Sequence, residues 1–338
     1  MPVRLSRGNA ALRSTSTPRP RALGRLRRAL RPLLLAGLAG ALLAGAGTLA
    51  TPNSATAAPV ANGFYRNPNS LAVQNAKSVP ALKAIARTPE ATWFTSSNSV
   101  KTVRASVSAL TTKAAKSKKT PIITLYAIPG RDCGGESAGG LTAKKYTKWI
   151  ANVAAGLAKP KAVVILEPDA LAQLGTCAGQ GDRTGLLRSA VTTLTAAGAW
   201  VYLDAGHSNW VDATTMAARL TAAGVADARG FATNVSNFNA TADETAYAKS
   251  VQAALTLDGV TGTHFVIDTS RNGNGATDDA QWCNPPGRAL GTRSTWVRRG
   301  GLDAYLWIKA PGESDGECNG GPASGQWWTE GALALISG

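Results

Sequence analysis

Apolar residues recur along the chain in short unbroken runs, each closed by a polar cluster. The clearest is Ala162-Val163-Val164-Ile165-Leu166, followed at once by Glu167-Pro168-Asp169. Such a run, rich in β-branched residues, predicts a strand buried on both faces, as in a parallel sheet. Pro168 cannot donate to a ladder and pushes Glu167 toward an extended conformation, so the strand ends there. The apolar residues from Ala170 onward suit the start of a helix, and taken alone Asp169 is a cap for it. Further strands are predicted over 121–128, 199–203, 231–235, 264–267 and 304–308, with helices over 141–157 and 183–197. Residues 58–75, with Asn62-Gly63 and Asn67-Pro68, suit an entry segment rich in turn formers, and Ala91-Thr92-Trp93-Phe94 follows with two aromatics expected to be exposed. The basic run 112–120 suits a solvated helix end.

Six strands at intervals of roughly 30–40 residues match the length of a βα unit. Strand–helix alternation on this scale implies an α/β fold with a parallel sheet, open or closed into a barrel. No linker rich in Pro, Ser or Thr interrupts residues 58–338, so a single domain is expected there. Polar residues gather just after the strands: Asp132, Asp169, Asp204, His207, Asn237, Asp268, Lys309, Glu313 and Asp315. In a parallel sheet these ends share one face, where α/β folds keep their chemistry. Capping explains one or two such acids but not so many.

The net charge of +16 changes little in this picture. Residues 1–57 hold nine Arg and no acid, so the remainder carries +7. A nucleic-acid binder would keep its basic patch in the folded part. The first segment has a basic region (Arg25 to Arg31), an apolar run from Leu33 to Ala50, and small residues at Ala55-Thr56-Ala57-Ala58. That is the anatomy of a secretory signal rather than a retained anchor, so residues 1–57 are expected to be removed and the remainder secreted. Arg27-Arg28 hints at twin-arginine export. Four cysteines follow: Cys133, Cys177, Cys283 and Cys318. In an exported chain they predict two disulfides, with three pairings possible. Cys133–Cys177 and Cys283–Cys318 are preferred, because each ties together two neighbouring loops. No Cys-x-x-Cys pair occurs and His is scarce, which disfavours zinc.

No Gly-rich phosphate loop follows the first strand and no Gly-x-Ser-x-Gly elbow is present. Neither metal nor cofactor is expected. What remains is a cleft with several carboxylates, aromatics and amides. Glycoside hydrolysis needs that set: one carboxylic acid to protonate the leaving oxygen, and a second carboxylate to activate water or attack the sugar. Neighbouring acids keep the donor protonated, since like charges resist joint ionisation. Trp93, Trp210, Trp282 and Trp307 are candidates for stacking on sugar rings, with about half of such residues expected in the core.

Six segments carry a resemblance: Tyr126-x-x-Pro129-Gly130-Arg131-Asp132-Cys133, Leu166-Glu167-Pro168-Asp169-Ala170-Leu171, Tyr202-Leu203-Asp204-Ala205-Gly206-His207-x-x-Trp210, Ala232-Thr233-Asn234-Val235-Ser236-Asn237, Trp282-Cys283-Asn284-Pro285 and Ile308-Lys309-x-Pro311-Gly312-Glu313-Ser314-Asp315-Gly316. Together they resemble glycoside hydrolase family 6, cellulases that cleave β-1,4-glucan with inversion. The resemblance implies a distorted parallel barrel with fewer than eight closed strands. It implies Asp169 as general acid, Asp132 as the second acid that raises the proton affinity of Asp169, and Asp315 as base, directly or through water. It places Asp204 near the cleft, among the substrate-binding positions, and Tyr126 under the distorted sugar. It makes Trp93, His207, Trp210, Asn237, Trp282, Lys309 and Glu313 glucan-binding positions, and it agrees with the preferred disulfides. A monomeric endo-β-1,4-glucanase is expected, since few residues remain for the long loops that roof a cellobiohydrolase. A non-catalytic glucan-binding protein is the rival from another class.

Overall fold

The computed structural model describes residues 63–158 and 161–338. The expected leader and its boundary at residue 57 lie outside the described residues. Two short helices, α1 (Leu71–Asn75) and α2 (Lys83–Ala86), lead into strand β1 (Thr92–Thr95). Then come α3 (Val103–Lys116), β2 (Ile122–Tyr126), α4 (Ala143–Gly156), β3 (Val163–Leu166), α5 (Arg183–Ala196), β4 (Trp200–Asp204), α6 (Ala213–Ala222), β5 (Gly230–Thr233), α7 (Thr241–Leu257) and β6 (His264–Asp268). A hairpin of β7 (Thr295–Arg299) and β8 (Leu302–Leu306) follows, and α8 (Thr329–Ser337) ends the chain.

The strands form one sheet in the order β1-β2-β3-β4-β5-β6-β8-β7. All neighbours are parallel except β7, which runs antiparallel on β8. The sheet curls into an open half-barrel. At its seam, β1 meets the chain after β8 without a ladder: the Ala91 N–H donates to the Trp307 carbonyl at 2.9 Å, and the Trp93 indole N–H donates to the Ile308 carbonyl at 2.8 Å. This agrees with a distorted parallel barrel of fewer than eight closed strands.

Alternation along each strand feeds two apolar layers. Val163 and Ile165 join Ile122, Tyr202, Val266 and Leu306 inside the curl. Val164 and Leu166 face outward into the layer shared with the helices. Both faces are dry, which is why the strand sequence is an unbroken apolar run. Helix starts follow local chemistry: Asp182 and Asp212 accept the N–H groups of Gly185 and Thr215, each at 2.9 Å, at the heads of α5 and α6. The basic run 112–120 is the exposed end of α3, as expected.

Three expectations need correction. No helix follows Pro168. Glu167 and Asp169 both take positive φ (52° and 67°), and the chain leaves in turns until α5 begins at Arg183. The Thr92–Thr95 segment, expected only to expose two aromatics, is the first strand, and its Phe94 is buried. Trp307 is 1% exposed and packs in the core, so it meets no sugar. Strand β7 escaped notice because an exposed edge strand carries no apolar run.

At the N-terminal end of the barrel, Asp303 gathers three strands. Its carboxylate accepts from Tyr202 Oη (2.6 Å), Arg229 Nε (2.8 Å) and Arg229 Nη2 (3.0 Å), and His264 Nδ1 lies 3.0 Å away. Burial opposes the charge, but the hydrogen bonds from His264, Arg229 and Tyr202 outweigh it and hold the carboxyl well below the usual carboxylate range. A depressed pKa supplies stability that is present above the unfolded value, about 3.9, and is lost as pH falls toward the folded value. Asp303→Ala should therefore cost about 3–5 kcal/mol in denaturant unfolding at neutral pH. The gap to wild type should narrow below about pH 4. A pH-independent loss under about 1 kcal/mol would contradict this role.

Candidate active site

The C-terminal ends of the strands open into a cleft of about 980 Å³. Trp93, Tyr126, Asp132, Asp169, His207, Trp210, Asn237, Trp282, Lys309, Glu313 and Asp315 all line it. They come from seven strand ends, which the curled parallel sheet brings to one face.

Asp169 sits at the floor. It keeps some solvent contact on one edge, while protein surrounds it elsewhere. Desolvation raises its carboxyl to about 7, and the nearby Asp132 charge raises it too. The Tyr126 hydroxyl donates to Asp169 Oδ2 at 3.2 Å and pulls weakly the other way. Tyr126 is itself fixed. Trp93 meets its ring edge-on at 5.5 Å, and the Arg131 guanidinium lies 4.7 Å over it. The carboxyl of Asp169 is thus poised to hold a proton near neutral pH.

Asp132 lies on a loop folded back against β2. Its Oδ2 accepts the Ser137 N–H at 2.6 Å, and its Oδ1 lies 3.4 Å from the Gln173 amide. Gly140 lets the loop return so closely that a Cβ there would collide with the Ile128 carbonyl oxygen. The Cys133–Cys177 disulfide (Cα–Cα 5.6 Å) ties this loop to the turn after Asp169. Across the cleft, Cys283–Cys318 (6.1 Å) ties the loop of Asn284 to that of Asp315. Both are the preferred pairings. The Asp132 loop touches the Asp315 side, with Ser137 Oγ 2.7 Å from Ser324 Oγ.

Asp315 has the opposite electrostatics. Burial would raise its carboxyl, but Arg271 and Lys309 outweigh that and lower it. Arg271 Nη1 donates at 2.7 Å, and Lys309 Nζ stands 3.4 Å away. The Asn284 N–H adds a hydrogen bond at 3.1 Å. Asp315 is therefore anionic where Asp169 is neutral. His207, beside Trp210 at 5.4 Å, is lowered to about 4 by burial and so is uncharged at neutral pH. A neutral imidazole can donate or accept toward a sugar hydroxyl.

Asp204 does not line the cleft, contrary to its expected contact with sugar. It is 1% exposed and lies beneath Asp169. Its Oδ2 accepts the backbone N–H groups of Asp169 (2.9 Å) and Gly206 (3.1 Å). Two more buried carboxylates act alike. Glu167 accepts from Ala127 and Ile128 (2.9 and 3.0 Å), and its own carboxyl is raised to about 7 by burial. Asp268 accepts from Ser236, Ser270, Ile308 and Lys309 (2.9–3.2 Å), fixing the loops that carry Asn237 and Lys309.

Other site residues went unassigned in the sequence. Arg271 directly follows β6 and its acid, a position that could have marked it. Arg183 opens α5, yet its buried guanidinium reaches the carbonyls of Ala170, Pro129 and Gly130 (2.8–3.1 Å), locking the Asp132 loop to the Asp169 turn. Glu244, in the first turn of α7, accepts the Ser208 N–H at 2.9 Å, while the Tyr247 hydroxyl donates to Val211 at 2.8 Å. Together they hold the loop of His207 and Trp210 from below. No sequence signal distinguishes these from ordinary helix residues.

Comparison with known proteins follows the same lines. Over 280 residues the chain is 48% identical to endoglucanase A of Cellulomonas fimi, covering 81% of this chain and 61% of that protein. It therefore spans less than two thirds of that relative. It is 43% identical over 292 residues to endoglucanase 1 of Streptomyces halstedii, covering 82% of this chain and 89% of that one. The structure of the endoglucanase Cel6 from Mycobacterium tuberculosis, in complex with methyl-cellobiosyl-4-deoxy-4-thio-β-D-cellobioside, superposes with a TM-score of 0.77 at 43% identity, covering 81% of this chain and 96% of that one. The profile of the glycosyl hydrolases family 6 matches residues 54–338, and with the fold and cleft described above the chain belongs to that family.

Proposed function

We propose that the protein is an inverting endo-β-1,4-glucanase acting on cellulose and related β-glucans. One observation carries the reading: a single cleft holds a carboxyl raised to about 7 at Asp169 and a carboxylate held low at Asp315. Groups whose environments push their pKa values apart divide into acid and base. Asp169 gives its proton to the leaving glycosidic oxygen. A water on the opposite face of the sugar attacks the anomeric carbon and loses its proton toward Asp315, directly or through a second water. Asp132 stays beside Asp169 and keeps it protonated. Lys309, Glu313 and Asn237 bind hydroxyls, and Trp93, Trp210 and Trp282 offer ring faces.

The endo mode is supported by two exposed rings of the cleft. Trp210 is 40% exposed and Trp282 51% exposed. A roof of long loops would cover them, so an internal stretch of glucan can enter from the side. Two disulfides support export to an oxidising compartment. Among the described residues no helix is long and apolar enough to cross a membrane.

Asp169→Asn should lower turnover of glucan by about 10²–10⁴-fold. Cellooligosides with a dinitrophenyl leaving group, which needs no proton, should lose under about tenfold. Equal losses on both substrates would remove Asp169 as donor. Product NMR should show the α-anomer first, and a β-anomer would overturn inversion. A second prediction concerns pH. Activity should fall as pH rises through about 7, because Asp169 must be protonated to act. Asp132→Asn removes a like charge, so that limb should move to lower pH in kcat/KM profiles of the variant. An unmoved limb would show that Asp132 does not set the proton affinity of Asp169.

A further inference from the structure

Away from the cleft, charge is distributed very unevenly. Residues 97–161 hold twelve Lys and Arg against two acids, whereas the rest of 58–338 holds fifteen against eighteen. Those two acids are Asp132 and Glu136, both on the cleft loop. Nine of the twelve cations stand on or beside two neighbouring helices. Helices α3 and α4 pack side by side on the outer face of β1–β3, where Thr111 Oγ1 donates to the Gly156 carbonyl at 3.0 Å. The segment that leads into α3 is held as well: the Trp149 indole donates to the Asn98 carbonyl at 2.7 Å and the Asn152 amide to the Val100 carbonyl at 2.8 Å. Neither helix contains an acid. Lys101, Arg104, Lys113, Lys116, Lys118 and Lys119 are exposed on or beside α3, and Lys144, Lys145 and Lys148 on α4. Among the described residues the four ion pairs lie elsewhere, and none of these nine side chains donates a hydrogen bond. Like charges within a Debye length of one another, about 8 Å at physiological salt, are only partly screened. Solubility alone would be served by charge spread over the whole surface.

We propose that the α3–α4 face is a docking surface for an acidic polysaccharide, a polyuronate with one carboxylate per sugar. Two features favour this partner among polyanions. The aromatics of α4, Tyr146 and Trp149, are buried, so none is available to stack on bases. The exposed large apolar residues, Trp210, Leu257 and Trp282, all lie on other elements, so nothing on this face can enter a bilayer. The face flanks the barrel and the cleft opens at its end, so a polyuronate held here leaves the glucan path free. The enzyme would thus be retained in material where neutral and acidic chains are mixed. This inference does not depend on the catalytic assignment.

The test is affinity electrophoresis of the purified protein through gels containing polygalacturonate, with unmodified agarose as reference. Retardation should be strong at about 20 mM salt and should weaken more than about tenfold by 150 mM. A variant with Gln at positions 113, 116, 144, 145 and 148 (each Lys→Gln) should lose at least about tenfold in affinity. Its turnover of a soluble neutral β-glucan should be unchanged, which also shows that it folds. A control with Lys77→Gln, Lys83→Gln and Lys249→Gln, whose net charge also falls but on other faces, should bind like wild type. No retardation of wild type at low salt would overturn the proposal. So would equal losses in the two variants, or tighter binding to duplex DNA or anionic vesicles than to polygalacturonate at the same salt.

Discussion

The hydrogen bond from the Asp169 backbone N–H to the buried Asp204 carboxylate positions the side chain proposed as proton donor. Strands of a parallel sheet end with backbone N–H groups that have no further ladder to join. Here those ends form the floor of a cleft, and water cannot serve all of them. Buried carboxylates serve instead: Glu167 for the end of β2, Asp204 for the turn after β3, and Asp268 for the turns after β5, β6 and β8. Each is expensive to bury and is offset by several backbone donors. The result is a rigid rim that needs no regular structure in the loops themselves.

That rim also fixes the electrostatics. Asp204 and Asp169 both lie in the same low-dielectric layer: burial raises both, with the Asp132 charge adding at Asp169 and the Asp169 charge adding at Asp204. The positive φ of Glu167 and Asp169, on either side of Pro168, holds the acid in a conformation that few side chains adopt without support. On the far side, Arg271 and Lys309 supply two cations to Asp315. One cleft therefore holds a neutral acid and an anionic partner at the same pH. The disulfides lie beside these loops, not in the core, and stiffen the parts that the strands do not.

Much of this was legible in the sequence, for a physical reason. Strands buried on both faces must be apolar throughout, so β2 to β6 and β8 stood out. Polar residues after them could only face one end of the barrel, so seven of the nine read there, all but Asp204 and Asp268, line one cleft, while Tyr126 and the glucan-binding roles came from the family resemblance. The failures were equally physical. Strand β7 is an edge and has no apolar signature. The turn after Pro168 has helix-compatible residues but obeys the Asp169 φ and the Arg183 contacts. Trp307 and Trp282 look alike in sequence, yet one is core and the other rim. Arg183, Glu244 and Asp204 act through contacts 13–54 residues away in the chain, which no local pattern encodes.

The central claim is that Asp169 is a neutral acid at the working pH because it is buried beside another carboxylate. It can be observed without turnover, by carbon NMR titration of ¹³C-carboxyl aspartate, with Asp169→Asn to assign the signal. The account predicts a resonance that titrates near 7 and moves to lower pH in the Asp132→Asn protein. An Asp169 signal that titrates near 4, unchanged by loss of Asp132, would contradict it.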